Sequence, residues 1–225
     1  MSIDSFDQAR LVLAGLKKRY PAPGTLLTFR SPWELLTAVI LAAQCTDARV
    51  NTVTPAFFAR WPGPEELASA ALDEIEEVIR PTGFFHNKAK NLLGCAQIIN
   101  EKHGGIVPDS MEELIKLPGV ARKTANCVLF AAYGINAGMA VDTHVKRLSF
   151  RLGLSANTEP DAIEKDLTAI FPREEWGNVN HMLVQFGRDV CDARKPACGQ
   201  CEFESVCPKR EPPKSPRKGA KRIRQ

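Results

Sequence analysis

Nearly every stretch of this chain carries the period and punctuation of a helix, and the two-residue alternation of a strand is all but missing. Ser31, Pro32 and Glu34 open "SPWELLTAVILAA" as an N-cap, a proline at the first helical position and the acidic partner of a capping box. Ser110 and Glu113 stand in the same register at the head of "SMEELIKL". "GPEELASAALDEIEEVIRP" keeps its apolar residues at helical spacing until Pro81. "ARKTANCVLFAAYG" is an apolar helix closed by Gly134, "DAIEKDLTAIFP" is amphipathic up to Pro172, and "NVNHMLVQFGRDVC" is another apolar helix. No repeat of useful period is present. These signals predict an all-α protein.

At 225 residues, 44% apolar and 25% charged, the chain can bury a substantial core as one large domain or two small ones. No apolar run approaches the roughly 20 residues of a membrane span. The opening "MSIDSFDQAR" is polar and acidic, unlike a secretory leader. The expectation is an intracellular protein with no membrane contact. The formal charge of +4 is unevenly placed: residues 209–225 hold eight Lys/Arg against one Glu, which leaves the rest of the chain at −3. That Pro-rich basic tail is expected to be disordered, serving solubility or a nonspecific hold on nucleic acid. A mildly acidic body that binds nucleic acid must do so through a local patch and backbone amides.

Four of the seven cysteines fall within seventeen residues, as Cys191-x6-Cys198-x2-Cys201-x5-Cys207. Disulfides do not suit an intracellular protein. A structural zinc site favours two short pairs on either side of a longer loop, and only one such pair is present. A 4Fe-4S cluster takes four thiolates and tolerates one compact loop. Spacing puts iron–sulfur ahead of zinc without deciding between them. Arg194 and Lys195, with Lys209 and Arg210, are cations that would stabilise such an anionic centre or face phosphates. Cys45, Cys95 and Cys127 stand alone in apolar surroundings and read as small buried hydrophobes.

"LPGVARKTANCVL" sets a tight Pro-Gly turn against the start of an apolar helix. Gly119 permits the turn, and the amides that follow at Val120 and Ala121 and at the helix N-terminus form a place for a phosphate. Lys123 lies in the first turn, where a partly buried lysine is a candidate nucleophile. Asp142 in "AVDTHVKR" is a helix N-cap and also a carboxylate that could serve that lysine.

Taken together, "AAQCTD", "GFFHNKA", "LPGVARKTAN", "AVDTH", "FGRDVC", "ARKPACGQC" and the last cysteine make the chain resemble the endonuclease III family of DNA glycosylases, of the helix-hairpin-helix superfamily. The resemblance runs from about Thr25 to Cys207. It implies a 4Fe-4S cluster on Cys191, Cys198, Cys201 and Cys207, and an enzyme that excises a base flipped from damaged double-stranded DNA. Lys123 matches the lysine that attacks the sugar C1′, forms a Schiff base and permits β-elimination. Asp142 matches the aspartate that assists it and offsets charge on the sugar. Gln44 matches the residue that fills the gap left by the flipped nucleotide, and Phe84 stands where a wedge residue, often leucine, enters the opposite strand, unless it is core. His144 is a phosphate contact or a polar residue near the cap.

Two departures from the family pattern stand out. Ala121 replaces the second hairpin glycine, which would strain the chain if that position needs positive φ, and Phe84 replaces leucine. The resemblance also implies a helical bundle over 25–135 that carries the hairpin, and a discontinuous unit of 1–24 with 136–208 that carries the cluster. It further implies a monomer with no obligate protein partner, cytoplasmic and nucleoid-associated if prokaryotic. The expected activity is a glycosylase and AP lyase for oxidised pyrimidines. The alternatives are a glycosylase for mismatched or alkylated bases, or a non-catalytic redox-sensing DNA-binding module.

Overall fold

The computed structural model describes residues 4–210. Among them it contains eleven α-helices and no strand: α1 (Ser5–Arg19), α2 (Pro32–Leu41), α3 (Asp47–Arg60), α4 (Pro64–Ala68), α5 (Leu72–Ile79), α6 (Phe85–His103), α7 (Met111–Leu114), α8 (Arg122–Tyr133), α9 (Thr143–Arg151), α10 (Pro160–Ile170) and α11 (Trp176–Asp189). No helix among the described residues is long and apolar enough to cross a membrane. The fifteen residues of the basic tail from 211 onward lie outside the described residues, and of its first two, Lys209 pairs with Glu204 at 3.2 Å.

The caps announced by the sequence are made. Ser31 accepts the Glu34 N–H at 3.2 Å and Ser110 that of Glu113 at 3.3 Å. Asp142 accepts the Val145 N–H at 2.8 Å. Gly134 closes α8 with φ +69°. The stretch before Pro81 is not one helix: it breaks between Ala68 and Leu72 into α4 and α5. The break lets both short helices reach the same core, with Leu67, Ile75 and Ile79 fully buried. The first helix of the hairpin is also shorter than its sequence suggests, ending at Leu114, four residues from Pro118.

Buried apolar side chains form two clusters. One draws on residues from Leu27 to Leu129 and includes Trp33, Phe57 and Trp61. The other joins Ala9, Val12 and Leu16 of α1 to residues from Met139 to Phe203. α8 belongs to the first through Ala125, Val128 and Leu129, and each large apolar side chain so buried contributes about 1.5–3 kcal/mol.

Two contacts fasten α8 to the second cluster, and a third ties the segment after α8 to α11. A Cβ on Gly177 of α11 would lie 2.1 Å from the Phe130 ring, so only glycine allows this approach. Asn180 donates to the Ala140 carbonyl. Glu164 of α10, almost fully buried, accepts from Arg122 Nε at 2.8 Å, Asn126 Nδ2 at 3.1 Å and the Met139 N–H at 3.2 Å. Glu164 thus joins the helix that carries Lys123 to the segment that leads to Asp142.

Candidate active site

A cleft of about 380 Å³ is lined by Gly24–Leu27, α2, the loop after it, α8 and α11. Lys123 and Asp142 both line it, and so does Gln44. Lys123 is exposed within the cleft rather than partly buried, because it sits on the turn of α8 that faces away from the core. Asp142 is half-buried. One carboxylate oxygen caps α9, and the other has no partner among the described residues. Arg188 of α11 reaches Asp47 at 3.2 Å, an ion pair between two cleft-lining residues.

The sequence predicts Cys127 to be a buried hydrophobe, yet it is half-buried and lines the same cleft one turn after Lys123. Burial pushes its thiol up to about 11, with Lys123 pulling it down and Asp142 pushing it up. All three groups therefore share one electrostatic neighbourhood. Cys45 is half-buried as well. Cys95 alone is fully buried, and its thiol donates to the Pro118 carbonyl at 3.1 Å, bracing the hairpin from below.

The hairpin corrects two expectations. Val120 is 5% exposed, and its N–H donates to the Leu117 carbonyl across the turn, so it is not free for a phosphate. The amides of Ala121, Arg122, Lys123 and Thr124 have no partner among the described residues, so the exposed donors begin one residue later. Ala121 has φ −87°, a conformation any residue adopts, so alanine there is unstrained. Gly119 is different. Its φ is +75°, and a Cβ would lie 2.4 Å from Asn91 Nδ2 of α6. Gly119→Ala is expected to cost about 2 kcal/mol in chemical denaturation and to weaken duplex binding, since the free amides move with the turn.

Phe84 is not core. It is 64% exposed, precedes α6 in the left-handed region with φ 48°, and stands outside the cleft. His144 also lies outside it. The half-buried ring meets Arg147 Nη2 at 3.1 Å, and its pKa falls because burial disfavours the charged form. Sequence reading passed over His181, Gln185 and Arg188, which line the cleft from α11. Their spacing of four and three places them on one face of an otherwise apolar helix, a signal that was available.

The four clustered cysteines line a second cavity, of about 60 Å³. One water needs about 10–15 Å³, so the space suits a group of atoms rather than one ion. Among the described residues no three His, Cys, Asp or Glu side chains are placed to hold a single metal ion. Four thiols lining one cavity are a donor set that fits a thiolate-bound metal group. Arg194 and Lys195 do not line the cavity: their side chains are exposed and their N–H groups bind the Asp192 carboxylate at 2.8 and 3.0 Å. Instead, Arg151 of α9 stands against the thiols, with Nη1 3.6 Å from Cys191 Sγ and donating to the Asp192 carbonyl at 2.7 Å. Arg147, one turn earlier, donates to the Cys191 carbonyl. Both arginines lie forty residues or more before the loop they hold, which hides them from a local reading.

Comparison with known proteins agrees with this arrangement. Residues 37–173 match the HhH-GPD superfamily base excision DNA repair protein family. Endonuclease III of Synechocystis sp. is 53% identical over 201 residues, 89% of this chain and 92% of that protein. A solved non-covalent endonuclease III–DNA complex superposes with TM-score 0.87 at 41% identity, covering 92% of this chain and 97% of the other. A trapped endonuclease III–DNA covalent intermediate does so with TM-score 0.87 at 40% identity and the same coverage. The chain therefore belongs to the endonuclease III family, within the HhH-GPD superfamily of base excision DNA repair proteins.

Proposed function

We propose that this protein is a bifunctional DNA glycosylase and AP lyase that removes oxidised pyrimidines from double-stranded DNA. The observation that carries the reading is the placement of Lys123 and Asp142 in one cleft, with Gln44 at its rim and unpaired hairpin amides beside it. The similar chain trapped covalently on DNA supports it. A target nucleotide leaves the stack and enters the cleft. The Lys123 amine attacks C1′; the glycosidic bond breaks and its electron pair leaves with the base, which takes up a proton. Asp142 offsets the positive charge that grows on the sugar. The ring opens to a Schiff base. Loss of a C2′ proton then expels the 3′ phosphate, and water releases the lysine. The free amides of Ala121 to Thr124 hold a backbone phosphate at the positive end of α8.

Cys191, Cys198, Cys201 and Cys207 would hold a 4Fe-4S cluster in the 60 Å³ cavity. The group would supply a structural tie and no step in the chemistry. Arg147 and Arg151 hold the loop's carbonyls, and Arg151 supplies positive charge beside the thiolates. Residues 25–135 and 1–24 with 136–208 are proposed as the two units that flank the cleft, and the protein as a monomer.

Borohydride trapping on duplexes that each carry one defined lesion tests this reading, with iron and acid-labile sulfide measured on the same preparation. The expected result is a protein–DNA adduct on oxidised pyrimidines and on abasic sites, from protein that contains iron and sulfide in equal amounts. An adduct confined to mismatched or alkylated bases would change the substrate. Tight binding without an adduct on any duplex would leave a monofunctional glycosylase or a DNA-binding module, which an assay of base release separates.

A further inference from the structure

Lys88 is a buried cation with no part in the chemistry above. It lies on α6 and is 4% exposed. A lysine seldom goes so deep without a carboxylate partner. Here Nζ donates to the Leu41 carbonyl at 2.8 Å and the Thr82 carbonyl at 2.9 Å, and no carboxylate among the described residues meets it. Burial draws its pKa below the usual lysine value, opposed by Cys45 nearby.

The two carbonyls belong to separate segments. Leu41 ends α2, and its carbonyl is one that the helix cannot satisfy itself. Thr82 ends the short turn Arg80–Thr82. Three residues after Leu41 stands Gln44, with φ 54°; two residues after Thr82 stands Phe84, with φ 48°. Among the described residues only one other non-glycine residue, Lys209, has positive φ. Such conformations cost free energy and last only where the surroundings enforce them. Both side chains are exposed, and both belong to loops read above as facing DNA. One ammonium therefore anchors the bases of two strained, exposed loops 40 residues apart.

We propose that Lys88 is a positioning residue that holds the Gln44 loop and the Phe84 loop as one unit, so that both enter the duplex together. The inference rests on the reading of Gln44 and Phe84 as residues that enter DNA. Held by one cation, the loops bear on the lesion site in fixed relation and meet it already ordered. Undamaged duplex, gripped mainly through backbone amides and phosphates, feels Lys88 far less.

The test uses the full chain with two probes: a duplex with a reduced abasic site beside 2-aminopurine, and the matched undamaged duplex. Affinity, 2-aminopurine fluorescence and melting temperature are read for wild type, Lys88→Met, Lys88→Gln, Gln44→Ala, Phe84→Ala and the Lys88→Met combinations. Lys88→Met is expected to lower the abasic-over-undamaged affinity ratio about tenfold, with a matching loss of fluorescence and undamaged affinity within about twofold. Lys88→Gln, which keeps an NH2 donor, should fall between and carries the test if Lys88→Met does not fold. In the Gln44→Ala or Phe84→Ala background the effect of Lys88→Met should shrink to about twofold or less, because one of the loops it positions has lost its tip.

A lower melting temperature with an unchanged ratio, or effects that simply add, would overturn the proposal and leave Lys88 a structural cap. If Gln44→Ala and Phe84→Ala themselves keep full fluorescence, the reading of the two loops fails and the proposal falls with it. Loss in those two variants but not in either Lys88 variant would remove Lys88 alone.

Discussion

Lys123→Gln is expected to yield no borohydride-trapped adduct on any lesion, and strand cleavage at an abasic site should fall on the order of 10³-fold or more. That is the scale on which removal of a nucleophile acts. Glutamine keeps much of the side chain's length and polarity but has no lone pair able to form an imine. Because Lys123 is exposed and makes no ion pair or side-chain hydrogen bond among the described residues, its loss should move stability by no more than about 0.5 kcal/mol. The amides of the first turn of α8 remain, so affinity for an abasic duplex should survive. Undiminished adduct would transfer the covalent role to another amine. A large drop in melting temperature would mean that the fold, not the chemistry, had been tested.

Asp142→Asn should separate two functions of one carboxylate. Asparagine caps a helix as well as aspartate does, so the hydrogen bond to the Val145 N–H is retained and stability should change by less than about 0.5 kcal/mol. Charge is what is lost. A sugar that turns cationic as the base departs would no longer face a carboxylate, and base release should slow by about 10²- to 10³-fold, the usual consequence of removing one preorganised electrostatic partner. Asp142→Ala should show the same slowing together with a stability loss of about 1 kcal/mol, because the cap goes too. Single-turnover base release and denaturant melts on the two variants separate these effects. Equal rates in wild type and Asp142→Asn would reduce Asp142 to a cap.

The local devices of this protein were legible in its sequence. Ser31, Ser110 and Asp142 satisfy amides three residues away, and Gly119 meets a demand of its own turn, so each can be read without knowing the fold. The four cysteines of the C-x6-C-x2-C-x5-C run, close in sequence, also line one cavity. Other features had no such signature. Nothing local shows that Ala121 adopts φ −87°, that the stretch before Pro81 breaks at residues 69–71, or that Val120 spends its N–H within the turn.

What tertiary structure decided was chiefly the fate of the cations. By sequence, Arg194, Lys195, Lys209 and Arg210 are the positive neighbours of the thiols; in the fold Lys209 lines their cavity, Arg194 and Lys195 do not, and Arg151 is brought in from α9. Lysine is ordinarily a surface residue, and only the meeting of α2, α6 and the turn before Phe84 makes Lys88 a buried one. Capping and turn formation are settled within a few residues of the chain, so the sequence alone determined them. The burial of a charge, and which carbonyls or thiols it then faces, is set by segments 40 residues apart or more that come together only when the two hydrophobic clusters form.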